Sequence, residues 1–524
     1  MGSKKLQIAL PVLFALVMIV GMLIGYKLKE ETGGSGFFNA NKKYTVQEVL
    51  SLVKSKYVDS VSFDTLNNVA IDAILEQLDP HSVYIAPQDV AIVNEDLAAN
   101  FEGIGVEYEV LNDTITVSRV ITGGPSEKAG IQVGDQIIAS ADTINLTGKK
   151  FKFNELRKYL RGPAGSQVTV TVLRDNQIKK ITITRGRIPI QTVDAAYMID
   201  SSVAYLHIAK FADRTYEEFM QNLEKLQAKG MKKLILDLRG NGGGLLQQAV
   251  NIADEFLDED KLIVYTEGLH NDKTEYRCKR DGLFEKNKLV VLIDELSASA
   301  SEVVSGALQD WDRATIIGRR SFGKGLVQQQ FQLSNGGAIR LTVAKYFTPL
   351  GRNIQKPYNK KKNDYTMEIV NRFHNNEMDK PDTAQPKGPV YKTPAGHTVY
   401  GGGGITPDIV VPVDTIAYPS VFYNPNFKNI AANFVMNWYR KNKTYLATLS
   451  INDFKNNFNF TANDLELFEK TALKNTLNIQ NINKTALSNI LKSIVGELAW
   501  GTKGYYEIKN NEDNVVKKAL SILK

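Results

Sequence analysis

Three kinds of hydrophobic periodicity follow one another along the chain. Between Tyr44 and about Asn100 apolar residues recur at helical spacing: Val46, Val49, Leu50 and Val53 share one face, and Ala70, Ile71, Ile74, Leu75 and Leu78 share another. Leu78-Asp79-Pro80-His81-Ser82 closes the second helix, because the residue before a proline avoids the α region. His81, alone after that proline, reads as structural. From Phe101 to Arg185 the period shortens to that of strands, as in Thr114–Val120 and Lys180–Thr184, with a short helix after Gly124 and another over Phe153–Leu160. From Arg187 to about Val413 short apolar runs alternate with helical segments. Ser202–Ile208, Lys233–Leu238 and Lys288–Ile293 read as strands and Leu245–Leu257 as a helix, while Leu326–Leu341 alternates as two strands around Ser334-Asn335-Gly336-Gly337. Beyond Asp414 helical spacing returns (Leu465, Leu467, Phe468, Leu473; Leu487, Ile490, Leu491, Ile494).

The pattern predicts a multidomain α/β plus all-β protein. Its parts are an N-terminal apolar segment (1–30), a helical segment (38–98), a β-rich domain (99–186), an α/β core (187–413) and a C-terminal helical extension (414–524). Asn359–Lys387 is polar and reads as a surface insertion. The extension carries no recognisable chemistry and suits packing, dimerisation or partner docking equally.

Leu6 to Tyr26 carries no charge and is roughly long enough to cross a bilayer as a helix. No small-residue cleavage site precedes Lys27 and Lys29, so an uncleaved anchor is the first expectation and a cleaved signal peptide the second. Either places the bulk of the chain outside the cytoplasm, in a periplasm or at the outer surface of the cell envelope, anchored to the cytoplasmic membrane in the first case.

At 524 residues the chain exceeds one core, and its 43% hydrophobic and 23% charged residues are those of a globular protein. The net charge of +7 forms no basic patch interleaved with aromatics, so nucleic acid is not an expected partner. One cysteine, Cys278, excludes an intrachain disulfide and a cysteine metal cluster, and the five histidines lack metal-ligand spacing. No metal or cofactor is expected.

Candidate chemistry concentrates between Asp294 and Gln328. After the Lys288–Ile293 strand come three serines alternating with alanines, Ser297, Ser299 and Ser301, and then a helix-like segment. A small polar strand-to-helix turn can present a nucleophile to helix-initiating N–H groups. Taken alone, the serines fit N-cap and tight-packing roles at least as well. Upstream, Asp237-Leu-Arg-Gly-Asn-Gly-Gly-Gly244 is a glycine-rich strand-to-helix turn with free N–H groups, suited to an oxyanion; simple close packing is the alternative. It fails the dinucleotide fingerprint, since Leu245 stands where glycine or alanine is required. Gly318-x-x-x-x-Gly323-Lys324-Gly325 fails as a phosphate loop, because Gly325 replaces the magnesium-binding hydroxyl and strands, not a helix, follow.

The segment 99–186 resembles a PDZ domain through Phe-Glu-Gly-Ile-Gly-Val (101–106), Ser126-x-x-Ala-Gly-Ile-x-x-Gly-Asp135 and Gly165-Ser-Gln-Val168. That resemblance implies capture of a peptide C-terminus, with Gly103, Ile104 and Gly105 holding its carboxylate. With Leu-Arg-Gly-Asn-Gly-Gly-Gly, Ser-Ala-Ser-Ala-Ser-Glu and Phe-Gly-Lys-Gly-Leu-Val-Gln following in that order, about 80–415 is similar to the C-terminal processing (tail-specific) serine peptidases. Leu78–Ser82, Thr348-Pro-Leu-Gly-Arg352 and Gly404-Ile-Thr-Pro-Asp408 belong to the same resemblance. It implies a Ser–Lys dyad on a crotonase-like ββα core: Ser299 as nucleophile, Lys324 as base and Gln328 orienting the lysine. Ala300 and a glycine of 242–244, foremost Gly243, would supply the oxyanion N–H groups. Asp310 is the implied supporting acid, and Arg161 an arginine through which the PDZ domain communicates with the core. Holding a lysine neutral at pH 7 costs about 4–5 kcal/mol, which burial must offset. The expected partners are protein or peptide substrates engaged at their C-termini, the membrane, and either a second copy or an adaptor. A catalytically silent PDZ scaffold of the cell envelope is the competing function.

Overall fold

The computed structural model describes residues 11, 13–24, 45–141, 144–148, 153–358, 362–374, 388–414, 419–479 and 482–524. The chain forms two compact units, Met1–Gln77 and Leu78–Lys524. In the first, residues 13–24 are helical, and helices α1 (Thr45–Lys56) and α2 (Phe63–Glu76) follow, the latter capped by the Ser62 hydroxyl. Among the described residues no helix is long and apolar enough to cross a membrane. The span read over Leu6–Tyr26 falls partly on residues outside those described.

The second unit opens with β1 (Val83–Ile85), α3 (Pro87–Leu97) and β2 (Asn100–Gly103). A β-rich body comes next: β3 (Val106–Leu111), β4 (Thr114–Val120), α4 (Pro125–Lys128), β5 (Gln136–Ser140), β6 (Ile144–Asn145), α5 (Phe153–Leu160), β7 (Gln167–Arg174) and β8 (Gln177–Thr184). Its sheet runs β3-β4-β5-β7-β8, with β6 on β5, so β3 is an edge strand. Alternate residues of these strands, among them Ile115, Val117, Ile137, Val170 and Val172, fill its core, which is why the period-two signal is clear. The strand β9 (Gly186–Pro189) returns to pair with β2.

The α/β core contains β10 (Val193–Met198), β11 (Val203–Ile208), α6 (Thr215–Ala228), β12 (Lys233–Asp237), α7 (Leu246–Asp254), β13 (Leu262–Gly268), β14 (Asn271–Arg277), β15 (Lys288–Ile293), α8 (Ala300–Asp310) and β16 (Thr315–Gly318). After these come β17 (Leu326–Gln332), β18 (Ala338–Phe347), α9 (Lys362–His374), β19 (Val390–Lys392), β20 (Thr398–Tyr400) and β21 (Ile409–Val410). One six-stranded sheet runs β10-β11-β12-β15-β16-β21, parallel from β11 onward. Its central strands are buried on both faces and therefore read as unbroken apolar runs. A second sheet, β1-β18-β13-β14 with β17 on β18, carries the residues after Lys324.

On one face of the parallel sheet, Leu206, Leu234, Leu236, Val291 and Ile293 pack against α6, α7 and α8. On the other face, Tyr205, Ile235, Val290, Leu292 and Ile317 meet the end of the chain. After α10 (Pro425–Leu446), α11 (Ile451–Asn457), α12 (Ala462–Lys474) and α13 (Lys484–Lys509), helix α14 (Asn514–Leu523) lays Val515, Val516, Ala519 and Leu523 across those strands. Helices α10 to α13 build their own core, which takes in Leu111 of β3. The aromatics Phe422 and Phe427 are buried there. Packing is thus a role of the extension that its sequence alone left undecided. In the insertion, α9 exposes Asp364, Thr366, Met367, Val370 and Asn371, as the surface reading expects, but buries Tyr365 and Arg372 on its inner face; 359–361 and 375–387 lie outside the described residues.

Because α14 supplies one layer of the core, Leu523→Ala is expected to lower global stability by about 2 kcal/mol, the low end for a buried leucine since a helix end relaxes easily. Chemical denaturation followed by near-UV circular dichroism measures this. An unchanged midpoint would mean that the layer is not part of the cooperative core.

Candidate active site

The sharp turn between β15 and α8 places Ser299 in a backbone conformation rare outside glycine, φ +56° and ψ −112°. Such strain persists only where the surroundings enforce it, and here both sides of the turn are fastened. The Ser297 hydroxyl donates to the Leu238 carbonyl at 2.8 Å, and the Ala298 N–H and the Ser301 hydroxyl donate to the Asn241 carbonyl at 3.0 and 2.8 Å. Ser297 and Ser301 are fully buried and committed to these bonds. Ser299 is half-buried at the head of α8, and the neighbouring Ala300 N–H has no hydrogen-bond partner among the described residues.

Opposite lies the glycine turn. A Cβ on Gly243 would stand 2.7 Å from the Ser299 Cβ and 2.9 Å from the Ala300 nitrogen, at φ +97°, so only glycine fits. The Gly243 N–H itself donates to Asn241 Oδ1 at 2.9 Å and does not open toward Ser299. That corrects the expectation of Gly243 as the foremost oxyanion donor: the N–H groups of the turn without a partner among the described residues are those of Gly242 and Gly244.

Glu302 joins the serine to the lysine. Its fully buried carboxylate accepts from the N–H of Ser299 (2.8 Å) and Lys324 (2.9 Å) on one oxygen, and from the N–H of Gly323 (2.7 Å) and the Ser321 hydroxyl (2.5 Å) on the other. Burial pushes this carboxyl above its ordinary pKa, and the donors draw it back. A carboxylate in the Gly323-Lys324 cradle also removes what remained of the phosphate-loop reading. The Tyr346 hydroxyl donates to the Lys324 carbonyl at 2.5 Å, with the Ser299 carbonyl 3.2 Å away.

The Lys324 ammonium nitrogen donates to Gln328 Oε1 at 2.9 Å, and Gln328 Nε2 donates to the His81 carbonyl at 2.7 Å. Burial lowers the lysine below its usual pKa, the Arg340 guanidinium adds to the effect, and Glu302 and Asp79 oppose it. No hydrogen bond joins Ser299 Oγ to Lys324 Nζ. Such contacts commonly tighten only when substrate is bound.

The remaining expected residues fall elsewhere. Asp310, at the far end of α8, pairs with Arg352 at 2.5 Å, both fully buried, and accepts from the Leu350 N–H. It braces the core around α8 without touching Ser299 or Lys324 by any hydrogen bond. Arg161 pairs with Glu95 of α3 at 2.5 Å and covers the Phe101 ring at 4.4 Å. It therefore links the β-rich body to α3, whose Asn94 accepts from Gln330 of β17 at 3.2 Å. Gly103, Ile104 and Gly105 form a buried turn beside the open edge of β3; Ser126 and Ile121 donate to the carbonyls of Ile104 and Gly105. Glu302, Tyr346 and the His81 carbonyl escaped sequence reasoning. For Glu302 a signal existed in the Glu that closes Ser-Ala-Ser-Ala-Ser-Glu.

Residues 202–366 match the model of peptidase family S41, and residues 116–174 that of a PDZ domain. The chain is 36% identical over 312 residues to the carboxy-terminal-processing protease of Bartonella bacilliformis, covering 59% of this chain and 71% of that one. It is 35% identical over 319 residues to a probable CtpA-like serine protease of Staphylococcus aureus, covering 60% and 62%. Among solved structures it is similar to a photosystem II D1 C-terminal processing protease, with 25% identity, 70% and 92% coverage and a TM-score of 0.35.

Two expectations follow. Glu302→Gln replaces one acceptor oxygen by an N–H₂ that must face backbone donors, so protease activity should fall at least 100-fold while near-UV circular dichroism is retained. Lys324→Met tests the buried amine through stability. Burial penalises the charged lysine in the folded state, so its stabilising share is full above the unfolded value of about 10.4 and is lost as pH falls. The stability of the variant relative to the native protein should therefore decline from pH 7 to pH 10. A difference independent of pH would show that Lys324 titrates normally.

Proposed function

The chain belongs to the carboxy-terminal-processing proteases of peptidase family S41, and from that premise we propose that it is an endopeptidase which engages protein C-termini through its PDZ domain and cleaves them with Ser299 and Lys324. The observation that carries the reading is the shared frame: one Glu302 oxygen accepts from the N–H of both residues, so the nucleophile and the amine are set by the same carboxylate.

In this mechanism the neutral Lys324 amine takes the proton of Ser299 Oγ as that oxygen attacks the scissile carbonyl. Gln328 accepts one amine hydrogen and thereby aims the nitrogen lone pair. The resulting oxyanion is met by the Ala300 N–H and by the N–H of Gly242 or Gly244, where fixed dipoles are worth most. The protonated lysine then gives its proton to the leaving amine, and water hydrolyses the acyl-enzyme by the same route. Substrate arrives as an added strand on the free edge of β3, its carboxylate at Gly103–Gly105.

In the domain division proposed here, 99–186 is the PDZ domain, 187–413 the peptidase core with Asp310 as internal support, and 414–524 the helical extension. Arg161 passes PDZ occupancy to the core through Glu95. The apolar residues 6–26 anchor the protease, its catalytic body outside the cytoplasm.

The test is cleavage of an unfolded protein with an apolar C-terminus. Ser299→Ala and Lys324→Ala are each expected to abolish cleavage while leaving binding of a C-terminal peptide intact, measured by fluorescence anisotropy. Normal cleavage by Ser299→Ala would sink the assignment.

A further inference from the structure

The helix α9, in the polar insertion, touches the candidate site from outside the sheets that build it. Its Tyr365 is buried, and its hydroxyl is a junction between two routes to Lys324. On one route it lies 2.9 Å from His81 Nε2; the His81 carbonyl accepts from Gln328, and Gln328 accepts from the lysine amine. On the other it accepts from Gln355 Nε2 at 3.3 Å, and Gln355 Oε1 accepts from the Gly325 N–H at 2.9 Å, next to Lys324 in the chain. The Tyr365 ring packs edge-on against His81 (5.3 Å) and Phe322 (5.8 Å). A second buried lysine, Lys356, lies with its amine 3.8 Å from the Phe322 ring centre and 4.3 Å from that of Tyr365, and is paired with Glu368 of α9 at 3.0 Å.

His81 is itself held from below. The Asp79 carboxylate accepts from the N–H of His81 and Ser82 and from the Ser82 hydroxyl, and that hydroxyl accepts from the Thr342 N–H of β18. The turn bearing the His81 carbonyl is thus fastened to the second sheet on one side and to α9 on the other. Resting on the Ser299–Lys324 reading, we propose that Tyr365 is a positioning residue of the active site, fixing Gln328 and the Gly325 backbone about the catalytic amine and keeping water from it. Its hydroxyl does the fixing and its ring the excluding, so the two functions separate by substitution.

The charged groups facing the Lys324 amine come from three elements: Arg340 of β18, Glu302 of α8 and Asp79 of the turn before β1. Lys356 stands on the Phe322 side with its own partner, Glu368. None of these is removed by changing Tyr365, and the titratable His81 loses its bond to the hydroxyl in the Phe and Ala variants alike, so a shift in the pH dependence seen only when the ring is removed reports on water access.

The experiment uses the full chain and compares Tyr365→Phe, Tyr365→Ala and Lys324→Ala in peptide cleavage across pH. Tyr365→Phe is expected to lower kcat about 10-fold with KM unchanged and the pH profile in place, since only the hydroxyl junction is lost. Tyr365→Ala is expected to lower kcat further and to move the rising limb of the kcat/KM profile to higher pH by about one unit, because hydration favours the charged lysine. Thermal midpoints of the three variants control for folding. If Lys324→Ala is inactive while both Tyr365 variants keep native kcat and pH midpoint, the role of Tyr365 is overturned and the dyad stands. If both lose activity only in proportion to the folded fraction, Tyr365 is a packing residue. If Lys324→Ala cleaves normally, the dyad falls and the positioning role with it.

Discussion

The Glu302 carboxylate is the constraint on which the geometry of the candidate site depends. A serine turn after one strand and a lysine turn before another have no covalent reason to face each other. Four donors converge on two buried oxygens, and each would be left unpaired in a dry interior if the carboxylate withdrew. The same group holds Ser299 in its left-handed backbone and closes the cradle in which Lys324 sits. Tyr346 repeats the linkage from the carbonyl side, so donors and acceptors of both turns are engaged around one point.

Around that point the molecule is built in successive layers. Helix α8 is buried along its whole length, with Gly306 allowing Thr348 and Ile405 to approach the helix within contact distance. Asp310 and Arg352 seal the far end of α8. The second sheet brings Lys324 and Gln328, and behind them the His81 carbonyl holds Gln328, Gln355 holds the Gly325 N–H and Tyr365 of α9 bonds to both His81 and Gln355. The β-rich body reaches this assembly through α3, where Glu95 and Asn94 lie one residue apart and face Arg161 and Gln330 respectively.

Local chemistry was legible in the sequence, and distant chemistry was not. Lys288–Ile293 and Phe153–Leu160 match their elements residue for residue, because a β-branched run and a short helical period declare themselves locally. The helix after the glycine turn stops at Asp254, not Leu257, as the chain turns toward β13. Ser299 and Lys324 are singled out by short motifs carrying unusual backbone demands, and the structure brings both onto Glu302. Glu302 reads locally as a capping-box residue, and nothing in that reading reveals that its second oxygen serves residues 321 and 323. The Gly243 amide illustrates the opposite error: the glycine run lies beside Ser299, yet the Asn241 side chain, two residues earlier, takes the donor that the motif advertises. Tyr365 lay in a stretch whose lysines and asparagines masked one buried face.

The helix at Val515–Leu523 also sets a timetable. Strands laid down near residue 205 keep one apolar face uncovered until a segment near residue 516 arrives to close it. Contacts so far apart in sequence form late and slowly. The sheet that shapes the serine turn therefore lacks its covering layer until the residues of α14 are available. The frame behind the serine turn thus closes only with α14, which ties the geometry at Ser299 to a segment more than two hundred residues further along the chain.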